Sequence, residues 1–270
     1  MKKLIFGIVT SLVICGFSIE SQNAYPLIKN ESFSKGEQLE YRVSFLGITV
    51  GKAITKVDTK SYNINSRPCF KIDAFGETTG ISWLYRVKDN WGAYIDTAAM
   101  ITHVSYRKIR ENNYVKDELV NFDHKNKKAK VKVMNKTTGV YEDVKDFDIP
   151  ENATDLVGGF IQMRFFDFKK IKVGDTVAIS GFFEDTSYKL KIMYKGKETI
   201  STKMGKIPCH VMVPIMPDNK LFNGENSITV WISDDGNKIP VKIQARMFIG
   251  HTGLELVSFR GLRNQLKIVQ

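Results

Sequence analysis

Leu39-Glu40-Tyr41-Arg42-Val43-Ser44-Phe45 alternates apolar and polar side chains without a break. Successive residues of a strand point to opposite faces, so this stretch is a half-buried β-strand. The same alternation returns at Ile101–Ile109 (ITHVSYRKI), Lys189–Tyr194, Ser227–Ile232 and Pro240–Arg246. Gly47 and Gly51 bracket Ile48-Thr49-Val50, where a tight bend or a bulge between two strands is expected. Asp234-Asp235-Gly236-Asn237 lies between two strong strands and reads as a hairpin turn with its glycine in the left-handed region. His124–Lys132 (HKNKKAKVK) has no aromatic interleaving and no helical spacing, and reads as a solvated hairpin.

Ordered landmarks recur along the chain. Gly36-Glu37 is answered by Gly174-Asp175, Pro68-Cys69 by Pro208-Cys209, Tyr94-Ile95-Asp96 by Trp231-Ile232-Ser233-Asp234, and Glu118–Phe122 by Glu255–Phe259. The nearly constant offset points to one β unit occurring twice. One segment breaks the strand pattern. In Asn152–Lys169 (NATDLVGGFIQMRFFDFK), Thr154 or Asp155 can cap a short helix. Leu156, Phe160, Met163 and Phe166 or Asp167 follow helical spacing, and the aromatic face is expected to pack as core. Gly158-Gly159 weakens the helix but lets another backbone approach.

The expected fold is therefore mainly β: two duplicated antiparallel curved-sheet units, half-barrel or sandwich-like, joined by a short helix. The expected boundaries are a leader at 1–21, a first β unit at 22–150, the connecting helix at 151–170 and a second β unit at 171–270. Residues 22–270 together form one compact domain.

The leader carries Lys2 and Lys3, then an apolar run from Leu4 to Phe17, then small residues at Gly16, Ser18, Ser21 and Ala24. That is the pattern of a secretory signal peptide, and the run is short for a transmembrane helix. Lipidation at Cys15 is disfavoured, because bulky Ile14 precedes it where such signals carry a small residue. The expected location is exported, in the periplasm, with outer-membrane association or secretion as variants.

The 270-residue chain has a formal net charge of +11, with 43% hydrophobic and 26% charged residues, which is a globular composition. An exported protein has no routine access to nucleic acid, so its basic charge suits lipid phosphates or acidic wall polymers, or simply a soluble surface. Cys69 and Cys209 remain after the leader; an oxidising compartment permits one disulfide between them, and both equally suit small buried positions in strands.

Catalytic motifs are missing. His103, His124, His210 and His251 stand outside metal-ligand spacing of one another, and the chain has no HExxH, CxxC, GxSxG, P-loop or strand-linked GxGxxG. Cys209 and His210 are adjacent in a strand and point to opposite faces, so they form no dyad. No cofactor is called for. Arg164 has two readings: an ion-paired residue closing the helix, or a cation guarding a cleft and meeting an anionic headgroup. Trp83, Trp91 and Trp231 are core residues or the lining of such a cleft.

The opening Phe33-x-x-Gly36-Glu37-x-Leu39-x-Tyr41-x-Val43, followed by Gly47 and Gly51-Lys52-Ala53, resembles the start of the DUF3108 family, exported bacterial proteins of unknown function. Asp155-Leu156-Val157-Gly158-Gly159-Phe160 with Arg164, then Val173-Gly174-Asp175, resembles that family's helix. Val230–Asp235 with Lys238-Ile239-Pro240-Val241 resembles its penultimate hairpin. Gly158-Gly159 departs from the small Ser-Ala pair more usual there. The resemblance runs from about Phe33 to Leu256. It implies a periplasmic, β-dominated envelope protein and assigns no catalytic residue. The expected function is non-catalytic binding of an amphipathic or anionic envelope component such as lipid, with peripheral membrane contact. An assembly factor binding another envelope protein is the alternative, and a hydrolase of envelope polymers comes third.

Overall fold

The computed structural model describes residues 25–80, 82–215, 227–247 and 250–269, and the expected leader lies outside them. The alternating stretches form strands. The first nine are β1 (Gln38–Phe45), β2 (Ile48–Val57), β3 (Tyr62–Ile64), β4 (Arg67–Thr78), β5 (Lys88–Asp96), β6 (Thr102–Glu111), β7 (Tyr114–Asp123), β8 (Lys128–Met134) and β9 (Tyr141–Asp148). After the helix α1 (Leu156–Met163) come β10 (Thr176–Phe183), β11 (Thr186–Thr202), β12 (Gly205–Ile215), β13 (Ile228–Ser233), β14 (Pro240–Arg246) and β15 (His251–Arg260).

All fifteen strands among the described residues belong to one antiparallel sheet in the order β10-β11-β12-β13-β14-β15-β1-β2-β4-β5-β6-β7-β8-β9, with β3 attached to β4 off this path. Two curved-sheet units, half-barrel or sandwich-like, joined by the helix were expected. Instead β15 runs along β1 from Gln38↔Arg260 to Phe45↔Thr252, which joins both halves of the chain into one sheet. Face alternation tells which side of a strand is buried but not which strand satisfies its edge, so this junction left no mark in the pattern. The same backbone hydrogen bonds recur at the repeated landmarks. Gly36 N donates to Val57 O (2.9 Å) and Gly174 N to Tyr194 O (2.8 Å), while Thr97 N donates to Pro68 O (2.9 Å) and Asp234 N to Pro208 O (2.8 Å).

The sheet curls so that β10 faces β9 without pairing with it, and α1 packs against β4, β5 and β10. Phe182 of β10 packs on Phe147 of β9 (ring centroids 5.5 Å apart) and on Phe122 of β7 (6.2 Å). A single parallel bridge crosses the seam region: Thr154 N donates to Ser180 O (3.0 Å) and Phe182 N to Thr154 O (2.9 Å).

Asp155 is the N-cap of α1, accepting hydrogen bonds from Val157 N (3.1 Å) and Gly158 N (3.0 Å). Gly158 is needed for a close approach: a Cβ there would lie 1.9 Å from Thr154 Oγ1 and 2.5 Å from Thr102 Oγ1. The buried residues of the helix are Val157, Gly158, Ile161 and Met163, whereas Leu156 and Phe160 are exposed, so of the face read from spacing only Met163 is buried. The reason is that α1 is wedged between two halves of one sheet. Val157 and Ile161 pack with Phe33, Ile72, Ala93 and Ile95, while Met163 packs with Ile179, Ile192 and Ile232. A helix buried on two flanks has no single apolar stripe to read.

The Asp234–Asn237 turn also differs from its expected form. Lys238 carries the positive φ (49°), not Gly236. Gly236 is required because a Cβ there would come within 2.7 Å of the Asn264 side chain. Cys69 and Cys209 are free and buried, so the disulfide considered above is not formed.

Candidate functional site

Arg164 is 2% exposed, and all three nitrogens of its guanidinium donate hydrogen bonds. Nη1 and Nη2 bind Glu37 Oε1 and Oε2 (2.5 and 3.0 Å), Nη2 also donates to Ser32 O (2.8 Å), and Nε donates to Asn237 O (3.0 Å). The cation also lies 5.2 Å from the Phe33 ring centroid. One side chain thus ties the end of α1 to the residues before β1 and to the β13–β14 turn. Buried and paired with Glu37, Arg164 takes its ion-paired reading and does not guard a cleft.

The tryptophans separate. Trp231 is buried, donates from Nε1 to Glu198 Oε2 (2.7 Å) and carries Lys242 over its ring (5.2 Å), a core position. Trp91 stacks on Phe183 across the sheet interior (5.8 Å), with the Arg107 guanidinium 5.5 Å from Trp91 and 4.6 Å from Phe183. Arg107 binds Glu118 (Nε–Oε1 2.8 Å) and Glu184 (Nη1–Oε1 3.2 Å). Asp155 completes this crevice. Burial pushes its carboxyl up, against the pull of its hydrogen bonds from Thr102 and the helix amides. Three carboxylates therefore line the crevice, but Arg107 holds two and the helix cap uses the third. The space among them is about 20 Å³. That is of the order of one water, against roughly 300–1,000 Å³ for a ligand pocket. A wider open groove of about 560 Å³ runs beside Lys56, Asp73, Phe75 and Arg260. Within it Arg260 is joined to Gln38 (2.7 Å) and Asp73 to Tyr106, while Lys56 lies over the Phe75 ring (5.7 Å).

The sequence spacing kept the histidines apart, but strand pairing brings two together. His103 on β6 and His124 after β7 have ring centroids 5.5 Å apart, with the Tyr25 ring edge-on to both. His103 Nε2 is 3.2 Å from Asp96 Oδ2, and His124 Nε2 is 2.7 Å from Thr102 O. The Nδ1 atoms of both are buried without a partner. Burial lowers the pKa of each imidazole and outweighs the carboxylate attraction on His103. His210 lies between Tyr194 Oη (3.0 Å from Nδ1) and Asp234 Oδ1 (2.9 Å from Nε2), stacked on Phe168 at 3.9 Å. Burial lowers its pKa as well. Among the described residues no three or more His, Cys, Asp or Glu side chains form a group able to hold a metal ion.

The uncovered apolar side chains lie elsewhere, at one end of the sheet. Antiparallel register puts the β1–β2, β4–β5, β6–β7, β8–β9 and β10–β11 connections at the same end, because each strand runs back from its turn. These connections carry exposed Leu46 and Ile48, then Trp83, Leu84 and Tyr85, then Tyr114, Val140 and Tyr188. Trp83 is 83% exposed. Tyr85 Oη reaches Glu111 Oε2 (3.3 Å), and Arg86 N donates to Asn112 Oδ1 (2.8 Å), which fastens the β4–β5 connection to the neighbouring hairpin. Cationic Arg86, Lys88, Lys136 and Lys189 are exposed at the same end. Of the side chains singled out in the sequence, only Trp83 belongs to this rim. The others escaped notice because a strand pattern does not reveal which turns share an end of the sheet.

A crystal structure of a beta-barrel-like protein of domain of unknown function DUF1849 from Brucella abortus has a similar fold. Its TM-score is 0.52 at 8% identity, over 87% of this chain and 98% of that one. No curated protein matches the chain. The family model "Protein of unknown function (DUF3108)" matches residues 40–257. Arg164, Glu37 and the Asp235–Asn237 turn, drawn from three separated landmarks of the expected resemblance, meet at the Arg164 clamp. On this match over most of its length, the chain belongs to the DUF3108 family of proteins of unknown function.

Proposed function

We propose that this protein is a non-catalytic component of the cell envelope that binds an amphipathic, anionic envelope component at the hairpin rim. The observation that carries this reading is the distribution of apolar surface. The interior is filled by packed side chains and ion pairs, while large apolar side chains stand uncovered on adjacent turns at one end. Export rests on the leader pattern. The recurring hydrogen bonds at Gly36 and Gly174 support an origin of the sheet by duplication.

The assembly-factor reading has the unpaired edges of β9 and β10 in its favour. However, β9 (YEDVKDFD) is dense in charge, which discourages strand addition. The test is a photo-crosslinking side chain placed in cells at position 83 or at exposed Val144 of β9, with one at exposed Lys170 as control. A lipid or lipid-linked adduct at 83 alone supports the proposal. A defined protein adduct at β9 with none at 83 would replace it by the alternative.

A further inference from the structure

We infer that the partner at the rim is the surface of an anionic lipid bilayer, on which the sheet stands end-on. This rests on the rim as the binding surface and goes on to name what it binds.

The first argument is geometric. The tips of β1–β2, β4–β5, β6–β7 and β8–β9 are neighbours in the sheet. With strands spaced about 4.8 Å apart, four hairpins span an arc of roughly 30 Å. The apolar residues sit on separate turns along this arc, divided by polar ones such as Asn112, Asn113 and Lys136–Gly139. A protein partner would need a contiguous, closely packed apolar centre with a polar rim. A fluid acyl boundary needs no such continuity, because each tip can insert by itself.

The second argument is chemical. Trp83, Tyr85, Tyr114 and Tyr188 are the residue types that settle at the headgroup level, with an apolar ring and a polar atom. Leu46, Ile48, Leu84 and Val140 supply the hydrocarbon between them.

The third argument is the sign of the free charge. Carboxylates at this end are largely occupied. Glu77 pairs with Lys52, Asp117 with Arg110, Asp143 with Lys132 and Glu184 with Arg107. Asp89 accepts from Arg110 N, and Glu142 from Asn135. Glu111 accepts from Tyr85, and burial together with neighbouring Asp89 raises its pKa. Asp185 stands exposed at the β10–β11 tip. Against it, Arg86, Lys88, Lys136 and Lys189 make no ion pair among the described residues. Asp89 and Glu142 keep their charge beside their uncharged donors, but among the exposed side chains without an ionic partner the four cations outnumber Glu142 and Asp185, an excess that complements lipid phosphates.

The test uses the leaderless chain with vesicles of phosphatidylcholine alone and of phosphatidylcholine mixed with phosphatidylglycerol. Co-sedimentation is expected with the mixed vesicles and is expected to weaken with added salt. The double variant Trp83→Ser/Leu84→Ser is expected to lose at least ~10-fold in partitioning, since two large exposed side chains no longer enter the acyl boundary. Neutralising Arg86 and Lys88 to Gln is expected to cost about 5-fold per charge. Tryptophan emission is expected to shift to the blue on binding, and this shift should vanish in Trp83→Phe, because Trp91 and Trp231 already lie inside the sheet. Unchanged circular dichroism and melting temperature show that the variants fold. Equal binding to both vesicle types, or binding indifferent to the rim variants, overturns the inference. Capture of single lipids from detergent micelles without vesicle binding overturns it while leaving the rim as a binding surface. Failure in both formats removes both.

Discussion

Replacing Arg164 by Met is the most direct challenge to the account of how this sheet holds its helix. Methionine preserves length and much of the packing but removes every donor. Glu37 is 3% exposed and would keep its carboxylate without a counter-charge. Ser32 O and Asn237 O would lose the bonds that now measure 2.8 and 3.0 Å. Removing one partner of a buried pair costs about 3–5 kcal/mol, most of it the penalty of the stranded charge. For a domain of this size each kcal/mol corresponds to roughly 2–4 °C, so the melting temperature should fall by about 10 °C or more. The double variant Arg164→Met/Glu37→Met removes the stranded charge and should recover a large part of that loss. Urea unfolding of the four proteins of the cycle, with m-values compared, measures the coupling directly. A loss below about 1 kcal/mol for Arg164→Met, or a double variant no more stable than the single one, would refute the argument that Arg164 is a clamp.

Three further outcomes follow from the geometry. Burial lowers the pKa of His103, His124 and His210 below the unfolded value of 6.5, so the folded state binds fewer protons than the unfolded chain in that window. Stability should therefore be fully present above pH 6.5 and fall as the pH drops below it, with His124→Phe flattening this limb in a series of melting curves. A second acid limb should appear well below it. Burial opposes the ionisation of Asp96, yet Arg67, the Ala98 and Ala99 amides and His103 hold its pKa below the usual carboxylate range. Gly158→Ala should destabilise by about 1–3 kcal/mol through overpacking, whereas Gly159→Ala should be tolerated, since only Thr154 Cγ2 at 4.0 Å faces it; chemical denaturation of both separates the two. Burial raises the Cys69 thiol to about 11 and the Cys209 thiol to about 12. Both should resist alkylation in buffer and react in denaturant, and rapid labelling of the folded protein would contradict their placement.

How much of this was legible in the residues depends on the range of the physics. Face alternation is local, so strands such as β1 and β6 are readable from their own side chains, and the cap at Asp155 from its position before an apolar run. Arg164 was noticed, but its partner Glu37 lies 127 residues away, and nothing in either neighbourhood names the other. The helix face was misread because Val157 and Ile161 are buried by strands of the first half of the chain and Met163 by strands of the second. His103 and His124 touch only through the register of β6 and β7. The rim is a property of topology: Trp83 and Tyr114 share an end of the sheet only because the intervening strands reverse in order.

The junction of β15 with β1 has a consequence for how the protein is made. Apart from it, every adjacency along the sheet joins strands consecutive in the chain, with β3 a side branch between β2 and β4. Hairpins of that kind can form as the polypeptide emerges. The last strand, by contrast, docks on the first across some 213 residues, as Arg42 and Glu255 show. The barrier from loop closure is thus concentrated in a single late step. A chain threaded across a membrane from its N-terminus would hold the outer edge of β1 open until nearly its final residue had arrived. A circular permutant opened between β9 and β10 would carry all its strands in spatial order and dispense with that wait.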